Sequence, residues 1–263
     1  MIRFIVSTFS EAKPIIDIFN LKKNHNYKKF SVFDSDKISL TISKIGKVNS
    51  ALAVAFTFYK ICKNKNDIWI NFGLCGHKSH EIGSIFLVNK ILDNSNNKVF
   101  FPFITNFKIN SLSCTTLEKK GINYKDSLFE MESSGFFQAA TKFSSKELIF
   151  ILKIVSDNEL KSINFQNADE IYNIIIKKES LLKNFCDHLL NLNKMTLHKN
   201  QNIYKEEIER VFNKINLTFT EKQQIKTLLK LYFLKNSKLK FDLLNESKSG
   251  SYNIKQLRKY LSL

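Results

Sequence analysis

Two short segments carry the groups best suited to chemistry. One is Glu130-Met131-Glu132-Ser133-Ser134-Gly135, and the other, further along, is Val155-Ser156-Asp157-Asn158. They place two carboxylates, a methionine and a tight glycine at the ends of two apolar stretches. A carboxylate accepts hydroxyl protons, and a protonated carboxyl can hand its proton to a leaving group. The layout suits gripping a ribose and protonating a base. Two earlier segments accompany them, Ile45-Gly46-Lys47-Val48-Asn49 and Asn71-Phe72-Gly73-Leu74-Cys75-Gly76-His77. The chain has only seven glycines, and Gly46, Gly73, Gly76 and Gly135 all fall within these segments. A chain so poor in glycine keeps it where positive φ or close backbone approach demands it.

The elements that must position these groups alternate. Ile2 to Thr8 reads as a buried strand, and Thr8 or Ser10 caps a helix holding Glu11 and Pro14 in its first turns. Ser39 to Ser43 alternates like a strand and leads to Gly46. Asn49 to Lys63 has helical apolar spacing. Asp67 to Phe72 is a strand running into the 73–76 turn. Ser84 to Ile91 and Phe107 to Cys114 are further strands, with Asn94 to Asn97 as a turn. Gly135 to Lys142 opens a helix, and Leu148 to Val155 is a strand ending at Ser156. Strands alternating with helices predict an α/β fold. From about residue 168 the strand signal fades. Ala168 to Asn191 reads as one long amphipathic helix, followed by helices over Tyr204–Ile215, Glu221–Leu234 and Tyr252–Leu261. Two parts are expected: an α/β domain over 1–190 and a basic helical extension over 196–263.

Composition narrows the class. The 263 residues are 43% apolar with 24 phenylalanines, enough for a sizeable core. No apolar run approaches the roughly 18–20 residues of a membrane span. Met1 to Phe9 reads as a first strand rather than a signal peptide, so a cytoplasmic protein with no membrane partner is expected. Cys62, Cys75, Cys114 and Cys186 are widely spaced without a CxxC pair, and the five histidines form no ligand spacing. Free thiols and no metal or other cofactor are therefore expected. The net charge of +17 can draw nucleic acid or anionic surfaces. Lysine dominates it within a chain rich in Asn, Ile, Lys and Phe throughout, which reads as a bias of the source genome.

The four segments, in this order, resemble the nucleoside phosphorylase and nucleosidase superfamily. The resemblance runs from residue 1 to about 190 and is closest to a branch resembling methylthioadenosine/S-adenosylhomocysteine nucleosidases. It implies a mixed, partly barrel-like sheet flanked by helices, with the site at strand ends, a purine nucleoside as the small-molecule partner, and often a homodimer. It implies that Glu132 holds the ribose 2′- and 3′-hydroxyls, since a carboxylate accepts two protons at once. Met131 would pack on the ribose. Asp157 would protonate purine N7, with Ser156 positioning it, and Glu11 would activate water. Gly73 and Leu74 would wall the pocket.

Two departures qualify the match. Nucleosidases carry a serine where this chain has Leu74, and Arg3 is the only arginine before residue 210. A phosphate site is thus poorly provided for, and hydrolysis is expected over phosphorolysis. The chain is also short between Ile85 and Glu130, where the family supplies a helix and part of the base pocket. Phe107 to Thr116 would have to serve instead, with Phe107 against the substrate and Phe100, Phe101 and Phe103 to supply aromatic stacking. Each motif has a plainer reading: a solvated strand end, a capping turn, or, for Glu11, a first-turn helix carboxylate. The alternatives to an enzyme are a non-catalytic nucleoside-binding protein on the same fold and a nucleic-acid module acting through the basic tail.

Overall fold

The computed structural model describes residues 1–62, 66–119, 126–235, 244–245 and 247–261. Lys63, the expected end of the second helix, and most of the segment 236–244 lie outside them. Two compact units are present, Met1–Asn193 and Lys194–Leu263.

The first unit is built on one mixed sheet. Its strands are β1 (Ile2–Val6), β2 (Lys22–Lys23), β3 (Ser31–Asp34), β4 (Ile38–Ile42), β5 (Ile68–Gly76), β6 (Ile85–Asp93), β7 (Val99–Phe100), β8 (Ser111–Thr116), β9 (Leu128–Glu130) and β10 (Ile149–Asp157). β1 lies parallel between β4 and β5, and β10 runs parallel to the other side of β5. From β10 the sheet continues through β6, β8 and β9, and β9 returns to β5 at the Phe129–Gly76 pair. Five strands thereby close into a small barrel, and β1, β4, β3 and β2 extend from it as an open wing.

β1, β5 and β10 are buried on both faces, which explains their near-continuous apolar sequences. In β10, Phe150, Leu152 and Ile154 join a core with helices α1 (Phe9–Ile18), α4 (Ala168–Ile176) and the start of α5 (Glu179–Lys214). Ile149, Ile151 and Val155 point the other way, against α2 (Lys47–Lys60) and α3 (Ser133–Ala140). Lys153 shares that second face and is a lysine with 1% exposure in an otherwise apolar row.

Several expectations are corrected. The single helix over 168–191 is two, broken at Lys177–Lys178, where the Lys178 N–H turns tightly to the Ile175 carbonyl at 2.9 Å. Buried Ile171, Ile175, Leu182, Phe185 and Leu189 stay in helical phase across the break, and no glycine or proline marks it. α5 then runs on through the stretch expected to separate two helices. α3 begins at Ser133, so Glu132 sits at its N-cap. β8 starts at Ser111, leaving Phe107 ahead of it. β2, β3, β7 and β9 were not foreseen, being too short for alternation to register.

The second unit is helical among its described residues. It contains the last turns of α5, then α6 (Phe219–Lys235) and α7 (Gly250–Leu261), around Ile215, Ile225, Leu229, Tyr232, Ile254 and Leu257. No helix among the described residues is long and apolar enough to cross a membrane.

Candidate active site

The parallel strands β1, β5 and β10 end around a cavity of about 380 Å³, within the usual range of small-molecule sites, roughly 300–1,000 Å³. Glu11, Leu74, Met131, Glu132, Ser156 and Asp157 all line it. Gly73 lies just beneath, one residue before Leu74, with the Glu11 carboxylate over it.

Glu132 reaches the cavity because of a close helix crossing. A Cβ on Gly135 would collide with the Lys47 carbonyl, so glycine lets the start of α3 touch the start of α2. That contact brings the Gly46 N–H to Glu132 Oε1 at 2.8 Å. Oε2 accepts from the Met131 N–H at 3.3 Å. Each oxygen retains a lone pair for a ligand hydroxyl.

Beneath Glu132 lies a buried ion pair. Lys153 Nζ stands 2.9 Å from Glu130 Oε2, both side chains almost wholly enclosed. Glu130 also accepts from Thr116 Oγ1 and from the N–H groups of Glu132 and Ser133. Burial opposes its charge, but the Lys153 ammonium and these donors hold its pKa below the ordinary carboxylate range. The result falls on Glu132. Its own burial first, and then the Glu130 charge, raise its pKa to about 7.

Asp157 is placed by a bulge. Val155 pairs with Cys75 and Asp157 with Gly76, so Ser156 is the extra residue between them, and the bulge re-aims the side chains at the strand end. The Ser156 hydroxyl sits 2.7 Å from Asp157 Oδ1 and 3.1 Å from the Cys75 carbonyl. Its single proton serves one acceptor at a time. Gly76 makes the geometry possible, because a Cβ there would lie 2.7 Å from Asp157 Oδ2 and strike the Phe129 ring.

Glu11 is both a first-turn helix carboxylate and a wall of the cavity. It is the third residue of α1 in a capping box with Thr8, and it also faces the cavity. Oε2 accepts from Ser7 Oγ, Thr8 Oγ1 and the Thr8 N–H. Among the described residues Oε1 accepts one bond, from the Leu74 N–H at 2.8 Å.

Phe107 is not part of this site. It packs on Phe185 and His188 at ring distances of 5.4 and 5.3 Å, strapping its loop to α5. Phe100 lies near Phe137, Phe103 near Phe150, and Phe101 is exposed. The aromatic walls are instead Phe129 and Phe165. Phe129 adjoins Glu130 in the opening motif, a signal available in the sequence, whereas Phe165 sits in a polar loop that advertises nothing. Local sequence gives no sign that Glu130 and Lys153 pair beneath the cavity. His77 is an internal turn residue whose Nδ1 accepts from the Ser79 and His80 N–H groups. Burial, followed by the neighbouring His80, lowers its pKa.

No protein-family model matches the chain, and no curated protein matches it by sequence. Solved structures do match in shape. The apo 5′-methylthioadenosine nucleosidase of Arabidopsis thaliana aligns with a TM-score of 0.59 at 17% identity, over 70% of this chain and 95% of its own. The Campylobacter jejuni 5′-methylthioadenosine/S-adenosyl homocysteine nucleosidase aligns at 0.56 and 18%, over 72% and 97%. An aspartate-to-asparagine mutant from Helicobacter pylori, with 5′-methylthioadenosine in its active site, aligns at 0.54 and 17%, over 71% and 98%. The α/β unit of this chain, with its closed five-strand barrel, therefore has the nucleosidase-like fold of these structures.

Proposed function

We propose that this chain cleaves the N-glycosidic bond of a purine nucleoside, with water as the nucleophile. The observation that carries the reading is the convergence of Glu132, Met131, Asp157 and Glu11 on one cavity at the strand ends. Ribose hydroxyls donate to the two Glu132 oxygens, and Met131 packs on the sugar. Asp157 gives its proton to N7 as the bond to C1′ breaks, and the sugar becomes oxocarbenium-like. The Ser156 hydroxyl then turns from the Cys75 carbonyl to the new carboxylate and stabilises it. A water on Glu11 Oε1 adds to C1′ and leaves its proton on Glu11.

Phosphorolysis is disfavoured by the lack of cationic partners. Arg3 has 2% exposure and is committed to Asp67, at 2.8 Å from Nε, and to Ser39. Among the described residues no lysine or arginine lines the cavity. Base release from a panel of purine nucleosides is expected to proceed at the same rate with and without millimolar phosphate. A rate proportional to phosphate, with ribose 1-phosphate as product, would reverse the assignment.

A non-catalytic nucleoside-binding protein is the second reading. It is favoured by Leu74, an aliphatic wall where nucleosidases carry a serine. Binding without turnover by the wild-type chain selects it.

The pH dependence of binding separates Glu132 from a bystander. Its raised pKa means that below about 7 a proton must leave before a diol finds two acceptors. Nucleoside affinity is expected to be flat above about pH 8 and to weaken about tenfold per unit below about pH 6. Glu132→Gln, which cannot titrate, should bind weakly at every pH. Calorimetry giving wild-type affinity constant from pH 5 to 8 would remove Glu132 from the ribose site.

A further inference from the structure

The second unit concentrates the positive charge of the chain. Residues 194–263 carry 15 Lys and Arg against 6 Asp and Glu, whereas the whole chain carries 41 against 24. Within that unit α7 is the extreme case. Its 12 residues, GSYNIKQLRKYL, contain no carboxylate. One face is fixed inward: Asn253, Ile254 and Leu257 are buried. The Asn253 side chain is pinned through its amide to the carbonyls of Asn245 and Ser249, and through its oxygen to the Asn245 N–H. The other face is exposed and bears Tyr252, Lys255, Gln256, Arg258 and Lys259.

One carboxylate beside this helix among the described residues, that of Glu221, does not offset that face. Glu221 lies against Gly250, at the opposite end of the helix from Arg258 and Lys259. It is occupied by backbone and hydroxyl donors, chiefly from Thr218 and also from Ser251, which hold its pKa down. Its charge is thus spent at the helix start.

We propose that the outer face of α7 binds duplex DNA. The cations recognise phosphate, and the residue types interleaved with them, Tyr252 and Gln256, hydrogen-bond to phosphate or base edges. Tyr252, Lys255, Gln256 and Lys259 follow i, i+3, i+4, i+7 spacing and form one stripe. A 12-residue helix is about 18 Å long, and its width matches the B-DNA major groove of about 12 Å. The deep, narrow groove of duplex RNA excludes such a helix. This inference is independent of the cavity chemistry.

The test uses the full chain and a fluorescently labelled 20-base-pair duplex, with anisotropy measured across a salt series. Binding should weaken steeply with salt. The variant K255Q/R258Q/K259Q changes only exposed positions and should keep its circular dichroism. It is expected to bind at least tenfold more weakly in about 0.1 M salt, with a log–log salt slope shallower by about 2.7, one counterion factor of about 0.9 per lost cation. K222Q/K226Q, which removes two exposed lysines of α6, should stay within about threefold of wild type. Absence of binding overturns the proposal. So does equal weakening by the α6 variant, which would mean diffuse basicity. Tighter binding to duplex RNA, single-stranded RNA or anionic vesicles than to duplex DNA overturns the choice of partner.

Discussion

Asp157→Asn is expected to lower base release by about 10²–10⁴-fold, the usual contribution of a positioned general acid, while leaving nucleoside affinity within a few-fold. The substitution preserves the shape of the side chain and an oxygen for the Ser156 hydroxyl, which stands 2.7 Å from Oδ1. It removes only the transferable proton. Departure of an unprotonated purine leaves a negative charge on the base, so the loss falls on the chemical step and not on binding. Single-turnover base release, read by chromatography alongside calorimetric binding, checks it. Equal turnover by variant and wild type would strip Asp157 of the acid role. Binding by both with turnover by neither would establish the non-catalytic reading.

Lys153→Met is expected to cost about 3–5 kcal/mol of stability, the range for breaking a buried ion pair by removing one partner. Lys153 and Glu130 have side chains only 1% and 2% exposed. Removing the ammonium strands the Glu130 carboxylate in the barrel. The strain reaches the cavity, because Glu130 anchors the N–H groups of Glu132 and Ser133 at 2.9 and 2.8 Å. The double variant K153M/E130Q removes both charges and keeps a side-chain oxygen for those donors. It should recover most of the loss, since a neutral replacement of comparable volume often matches a buried pair. Urea unfolding of wild type, single and double variants decides. A single variant within about 1 kcal/mol of wild type would show that the pair carries little of the fold.

The order of the elements around the site was legible in local sequence. Alternating buried strands and amphipathic helices announced β1, α1, β4, β5, β6 and β10. The glycines announced where backbones would approach, and Gly135 against Lys47 is the clearest case. The likeness of the four segments to nucleosidases anticipated a fold that solved structures share at 17–18% identity. Met131, Glu132, Ser156 and Asp157 stand in those segments, Glu11 follows from the resemblance, and one cavity gathers all five.

Tertiary structure alone decided the rest, because those features arise from contacts distant in sequence. Phe129 rather than Phe107 lines the cavity because β9 closes the barrel onto Gly76, and a three-residue strand has no period to read. Lys153 looked like one more lysine in a lysine-rich chain until β10 and β9 brought it to Glu130. The raised pKa of Glu132 follows from its burial first and then from the Glu130 charge, neither of which is visible along the chain. The break between α4 and α5 leaves the apolar phase unchanged, so periodicity could not reveal it. What the sequence determined by itself was which residue types stand near strand and helix ends. Which of them share one enclosed space was decided by barrel closure, which sets their distances and charges together.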